Sequence, residues 1–204
     1  MTDADAPVRV GVTGHRTLHD LVGSQAELLR ERVRALLVAL AEERVGTLVS
    51  PLAEGADRIV AEEALALGYR LEVILPFAAE SYERDFRGPA SVDAFRALLE
   101  RAAHRASLDR DATDSATRAA AYEAVGDALI ESTDLLIALW DGDRERGRGG
   151  TGQVVRRALR AGLPVLHVAS TTPFPIRLLM EDPGAGSTVI EGLVRRGVVD
   201  LPSS

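Results

Sequence analysis

The chain of 204 residues has no cysteine, no lysine and no asparagine, and all 24 of its basic side chains are arginine. Without cysteine there is no disulfide, no thiolate nucleophile and no cysteine-ligated zinc or iron–sulfur centre. Without lysine there is no Walker-type phosphate lysine and no lysine Schiff base, which excludes pyridoxal phosphate chemistry. An arginine-favouring codon bias is the simplest cause of the missing lysine, but the exclusions hold whatever the cause. Four scattered histidines, His15, His19, His104 and His167, supply a metalloenzyme poorly. No apolar run approaches the roughly 20 residues that span a bilayer. The opening segment 1–7 (MTDADAP) is acidic and polar, unlike a signal or transit peptide, so the expected location is the cytoplasm.

What is present suits a globular core: 46% of residues are hydrophobic and 27% are charged. The length fits one domain, and no internal repeat, low-complexity tract or linker divides it. The net charge of −7 argues against a general electrostatic grip on nucleic acid or an anionic membrane, while leaving room for a local basic pocket.

Apolar runs at 8–13 (VRVGVT), 47–51 (TLVSP), 71–75 (LEVIL), 135–140 (LLIALW) and 164–168 read as strands buried on both faces. Between them lie helical periodicities, carried by Leu29, Val33, Leu36, Leu37 and Leu40, then by Ile59, Val60, Ala64 and Leu67. Further along, Tyr122, Val125, Leu129 and Ile130 mark one helix, and Val154, Val155, Ala158 and Leu159 another. Ser24 to Glu27 and Thr188 to Glu191 have the form of capping boxes, and Gly68 and Gly162 of helix stops. Phe95, Leu98 and Leu99 suggest a further helix, but 104–118 is polar and weakly patterned and reads as a loop, either covering a ligand or simply solvated. The alternation predicts a doubly wound, mostly parallel, three-layer α/β/α sheet of Rossmann-like type, with a core over 8–168 and a C-terminal extension over 169–204.

In such a sheet, ligands bind at the carboxyl ends of the strands, where the strand order reverses. Three loops are expected there. In the last of them, Arg148, Gly149, Gly150, Thr151, Gly152 and Gln153 follow an apolar strand and open a helix. Glycines admit close backbone approach and the helix start favours an anion, so phosphate binding is preferred over a mere surface turn. Arg148 or Arg16 could clamp that phosphate, and Thr151 could add a hydroxyl. In the second loop, Glu54, Gly55 and Asp57 could supply a turn, hydroxyl recognition or acid chemistry, with Asp57 as an N-cap the competing reading. In the first, Gly14 and His15 precede Arg16, and His15 reads as a ribose- or base-side contact because its motif holds no partner carboxylate. Trp140 could stack on a base or fill the core. Asp141, Asp143 and Glu145 could hold Mg²⁺ beside a phosphate, although a solvated acidic turn is the simpler reading; otherwise no cofactor or metal is expected. Residues 82–86 (YERDF) read as packing for the loop after the third strand.

Taken together, VGVTGHR, LAEGADRIVAEEALALG, LEVILPF with Tyr82, Asp85 and Phe86, and DLLIALWDG followed by GGTGQVV and AGLPV resemble the SLOG superfamily, in particular its bacterial TRPM-like branch. That Rossmann-like superfamily includes DNA-processing protein A and the Lonely Guy phosphoribohydrolases. The resemblance spans most of 8–168 and implies a pocket for a nucleotide or nucleotide derivative, in a homodimer. It does not carry over an activity. The Lonely Guy motif places a catalytic Glu where this chain has Arg156 and a catalytic Arg where it has Val125, and an oxocarbenium-like transition state gains nothing from an arginine. The leading expectation is therefore a domain that binds or senses a nucleotide or ADP-ribose-like compound. The alternative is a hydrolase or transferase of a nucleoside N-glycosidic bond using Glu54 or Asp57. Binding of single-stranded DNA ranks third, since 4% aromatics and the acidic balance do not suit a stacking groove.

Overall fold

β1 (Arg9–Gly14) is the central strand of the sheet: Val10 and Val12 are buried on one face, and Gly11 lies against Leu129 and Thr133 on the other. The structure is a computed structural model describing residues 8–18, 21, 23–108, 114–142, 150–181 and 188–199. After β1 come α1 (Ser24–Glu42), β2 (Thr47–Ser50), α2 (Ala56–Ala66) and β3 (Arg70–Leu75). Next are a short α3 (Ala79–Tyr82) with a 3₁₀ turn over Glu83–Asp85, α4 (Pro89–Arg101), β4 (His104–Ser107) and α5 (Ser115–Glu131). The chain closes with β5 (Leu135–Trp140), α6 (Thr151–Arg160), β6 (Val165–Ala169), β7 (Ile176–Leu179) and α7 (Thr188–Arg195).

The seven strands form one sheet in the order β4-β3-β2-β1-β5-β6-β7, parallel except for β7 against β6. Side chains alternate between its faces. Val10 and Val12 of β1 and Leu135, Ile137 and Leu139 of β5 join one core, beneath α1, α2, α4 and α7. Leu136 and Ala138 join the other, with Leu129 of α5 and Val154, Val155 and Ala158 of α6. The three-layer, mostly parallel α/β/α sheet is the expected fold class.

Three local expectations are corrected. The polar segment 104–118 is not a simple loop: 104–107 is a parallel edge strand beside β3, and α5 begins at Ser115. An edge strand with one exposed face needs no apolar run, and here main-chain bonds hold it, Ala103 N to Leu71 O at 2.8 Å and Leu108 N to Leu75 O at 2.9 Å. Residues 109–113 lie outside the described residues. Ser24 is not a side-chain cap, because the N-cap position of α1 is Gly23 and no side chain bonds the helix start there. A capping box does form at α5, where Asp114 Oδ1 accepts the N–H groups of Ala116 and Thr117, both at 2.8 Å, and the Thr117 hydroxyl accepts from Asp114 N. Finally, β7 adds an antiparallel strand in the extension, where only a helix was expected.

Helices α1 and α2 are tied by two carboxylates, Glu62, which meets Arg30 Nη2 at 2.6 Å, and the more buried Glu63. Glu63, 4% exposed, meets Arg30 Nη1 at 3.0 Å and Arg34 Nη2 at 2.6 Å. Both arginines are partly solvated, so screening limits what the pairs contribute. Glu63→Ala is expected to cost about 1–2 kcal/mol in urea denaturation, with the loss shrinking at 1 M salt. A loss insensitive to salt would assign it to packing instead.

Candidate functional site

β1 and β5 are neighbours whose chains leave the sheet toward opposite edges, β1 leading to β2 and β5 to β6. Their carboxyl ends therefore part and leave a cleft, the expected place for a ligand in a doubly wound sheet. A cavity of about 420 Å³ opens there. Its apolar wall is Val125, Gly126 and Leu129 of α5 with Val154 of α6; its polar side carries His15, Arg16, Asp57, Tyr82, Tyr122 and Asp141.

The loops at its rim lock into one another. Gly14 pairs with Leu139 across the β1/β5 ladder, and the next amide, His15 N, continues it by donating to Leu139 O at 3.0 Å. His15 O then accepts from Ala56 N, the first helical amide of α2, at 3.0 Å. This crossing needs glycine on both sides. A Cβ on Gly14 would stand 2.5 Å from Leu139 O and overlap the Ala56 side chain; one on Gly55 would stand 2.6 Å from Arg16 O. Gly55 also has φ +80°, the left-handed region open to glycine. Gly55 therefore serves a steric role in the loop crossing. Leu52 in the same β2–α2 loop is held at φ +56°, unusual for a branched residue. Ser50 Oγ accepting from Leu52 N at 3.0 Å and Leu52 O accepting from Arg58 Nε at 3.1 Å keep it there.

The structure separates the two acidic candidates of this loop. Asp57 lies inside the first turn of α2, so it is not the N-cap residue; Gly55 is. Its carboxyl is 3% exposed, borders the cavity, and accepts the Ala53 N–H at 3.1 Å. Burial pushes Asp57 up to about 7, against the pull of that N–H and of the Arg16 and Arg58 charges. Glu54 is not among the residues that line the cavity. Its carboxylate is turned to the start of α4, where it accepts from Arg87 N at 2.8 Å and from the Ser91 hydroxyl. Burial opposes its ionisation, but those two bonds and the Arg58 and Arg87 charges outweigh it and hold Glu54 below its ordinary value. Glu54 thus braces the rim, and Asp57 is the carboxyl of this loop that faces the cavity.

His15 does have a carboxylate partner, contrary to the reading of its motif alone. Asp141, at the end of β5, places Oδ2 3.0 Å from His15 Nε2, and the Asp141 N–H lies 3.2 Å from the same nitrogen. One nitrogen cannot donate to the carboxylate and accept from the amide together, so the tautomer of His15 selects which contact forms. Trp140 borders the cavity and also packs on His167, ring centroids 5.4 Å apart.

At the start of α6, Gly150, Thr151 and Gly152 border the cavity. Gln153 does not; its Nε2 donates to Glu123 Oε1 of α5 at 2.9 Å. Arg148 and Gly149, like Asp143 and Glu145, lie outside the described residues, as does His19. Among the described residues, no cluster of three or more His, Asp or Glu is placed to hold a metal ion, and no helix is long and apolar enough to cross a membrane.

Two tyrosines complete the wall. Tyr82 packs edge-on against Phe77, Phe86 and Phe95, as expected of the segment after β3, yet it also borders the cavity. Burial pushes the phenol of Tyr82 well above its ordinary value and raises that of Tyr122. Tyr122 entered the sequence reading only as a helix-marking apolar residue.

No protein-family model matches the sequence, and no curated protein matches it. Among solved structures, DNA processing protein A (DprA) from Streptococcus pneumoniae aligns with a TM-score of 0.54 and 16% identity, over 97% of this chain and 59% of that one. This chain thus spans under two thirds of the DprA chain. Protein TM1055 aligns at 0.48 and 18% identity, over 95% of this chain and 90% of its own. The Moco carrier protein from Chlamydomonas reinhardtii aligns at 0.45 and 18% identity, over 98% and 91%. The chain has the Rossmann-like fold of DNA processing protein A.

Proposed function

We propose that the cavity between the ends of β1 and β5 binds a nucleotide or nucleotide derivative of the ADP-ribose type. The observation that carries this reading is the cavity itself. It lies where the strand order reverses, is walled by apolar α5 and α6 residues on one side, and is bordered by Arg16 and the first turn of α6 on the other. Its volume lies in the range of small-ligand sites, which is about 300–1,000 Å³. The phosphate is assigned to Gly150, Thr151 and Gly152, where helix-start amides and the Thr151 hydroxyl favour an anion, with Arg148 and Gly149 expected to continue that loop. Gly14, His15 and Arg16 contact the remainder. A magnesium ion accompanying the phosphate and a homodimeric assembly belong to the same proposal.

Thermal shift with AMP, NAD, ADP-ribose and cyclic nucleotides, followed by mass spectrometry of the recovered ligand, tests it. Stabilisation by at least one of them, with the ligand intact, supports a binding or sensing role. Gly150→Leu is expected to abolish that shift while leaving the unliganded melting temperature within about 3 °C, since α6 starts at the rim. No shift with any ligand would refute the reading.

One observation favours a second reading, cleavage of a nucleoside N-glycosidic bond. Asp57 is a buried carboxyl at the cavity, protonated up to about pH 7 and so able to donate to a leaving base. Release of free base, lost in Asp57→Asn, would establish it. Val125 lines the cavity and offers no charge, so such chemistry would not follow the Lonely Guy arrangement.

A further inference from the structure

We propose that Arg16 is the side chain that recognises the ligand's negative charge, and that Tyr122 and Asp85 are positioning residues that hold it ready. The proposal deepens the reading of the cavity as a ligand site and depends on it for location alone.

An arginine on a loop gives up rotamer freedom when it is fixed. Arg16 is fixed before any ligand arrives. Its guanidinium carbon lies 4.6 Å from the centre of the Tyr122 ring. The Tyr122 hydroxyl donates to Asp85 Oδ2, which holds that ring in place beneath Arg16. Asp85 is anchored in turn by Arg118, whose Nη2 lies 2.5 Å from the same carboxylate oxygen. Arg118 stacks 4.3 Å above the Phe77 ring and donates to Ser81 O at 3.3 Å. The 3₁₀ turn after α3, the first half of α5 and the loop after β1 are thereby joined through one tyrosine.

Charge points the same way. Arg16 and Arg118 bring two positive charges to this wall and Asp85 one negative. Asp57, which also feels Arg16, stays protonated to about pH 7. Arg58 and Glu54, the nearest charges behind Asp57, oppose each other. His15 lies beside Asp141 at the far rim. On the Arg16 wall the surplus is positive, and it sits on a planar five-donor fork. A phosphate-like oxyanion is the chemical class such a fork takes.

The test is calorimetric titration of wild type, Arg16→Gln, Arg16→Lys and Tyr122→Phe with inorganic pyrophosphate, AMP and adenosine, alongside melting temperatures. Wild type is expected to bind pyrophosphate and AMP. Arg16→Gln should lose about tenfold or more for both anions, Tyr122→Phe about three- to tenfold, and Arg16→Lys should fall between Gln and wild type. Adenosine affinity should not change, a result that mere structural damage would not give. Pyrophosphate ignored by wild type, or bound equally by Arg16→Gln, overturns the role of Arg16. Wild-type affinity in a folded Tyr122→Phe overturns the positioning role. Arg16-dependent binding of pyrophosphate with no binding of AMP, NAD or ADP-ribose would refute the nucleotide reading and leave this inference standing. AMP held equally well without Arg16 would do the reverse.

Discussion

Asp57→Asn is expected to make the protein more stable than wild type at pH 8, by about 4 kcal/mol, or roughly 10 °C in melting temperature. The carboxyl is 3% exposed and sits at about 7 in place of 3.8, chiefly because burial penalises its charge. The folded chain therefore holds this proton more tightly than the unfolded chain. Stability from Asp57 is complete below about pH 4 and is lost as the pH rises through 7. Asparagine keeps an oxygen for the Ala53 N–H and carries no charge to bury, so it removes the loss. Urea denaturation of both proteins from pH 4 to pH 8 should give curves that lie close at the acid end and diverge as the pH rises from about 4 to 7. Parallel curves would mean that folding does not shift the titration of Asp57. A residue whose ionised form costs the fold this much is a common mark of a functional site.

Gly14→Ala and Gly55→Ala should each destabilise the protein by about 3 kcal/mol or more, because the added methyl meets backbone that cannot move aside. At Gly14 the obstacle is Leu139 O in the next strand together with the Ala56 side chain; at Gly55 it is the main chain of His15 and Arg16. Gly68 separates clash from conformation. It has φ +84°, close to the +80° of Gly55, but nothing lies within 4 Å of a Cβ built there. Gly68→Ala should cost only about 1–2 kcal/mol, the ordinary penalty of a left-handed alanine. Equal losses at Gly55 and Gly68 in chemical denaturation would show that the loop crossing contributes nothing. Of the two large losses, Gly55→Ala should also weaken ligand binding the more, since it displaces the carbonyls next to Arg16.

The interior strands were legible because their environment is simple. Residues 135–140 (LLIALW) are apolar throughout since β5 is covered on both faces, and the same holds for the core of β1 and β6. The edge strands were not. His104–Ser107 has mostly exposed side chains and is a strand only because the main chain of β3 offers hydrogen bonds. The cap of α1 misled for a related reason: Ser24 and Glu27 have the spacing of a capping box, but the chain turns one residue earlier, at Gly23.

The candidate site divides in the same way. Its three loops could be located from sequence, because each follows an apolar run that had to be a buried strand. Which side chains enter the cavity could not. Glu54 and Asp57 are three residues apart, and the start of α2 sends one to α4 and the other inward. His15 and Asp141 are 126 positions apart in the chain and meet because β1 and β5 end side by side.

By itself the sequence determined what chemistry is excluded, through its missing cysteine and lysine, and which segments must be buried, since apolar periodicity is a local property. It also required any phosphate to be held by arginine and backbone amides. The tertiary structure decided the rest: that Asp57 and not Glu54 borders the cavity, that His15 meets the Asp141 carboxylate, and that Arg16 lies over the ring of Tyr122, whose hydroxyl bonds Asp85. Those facts arise from contacts between residues far apart in the chain, and only the order of strands in the sheet brings them together.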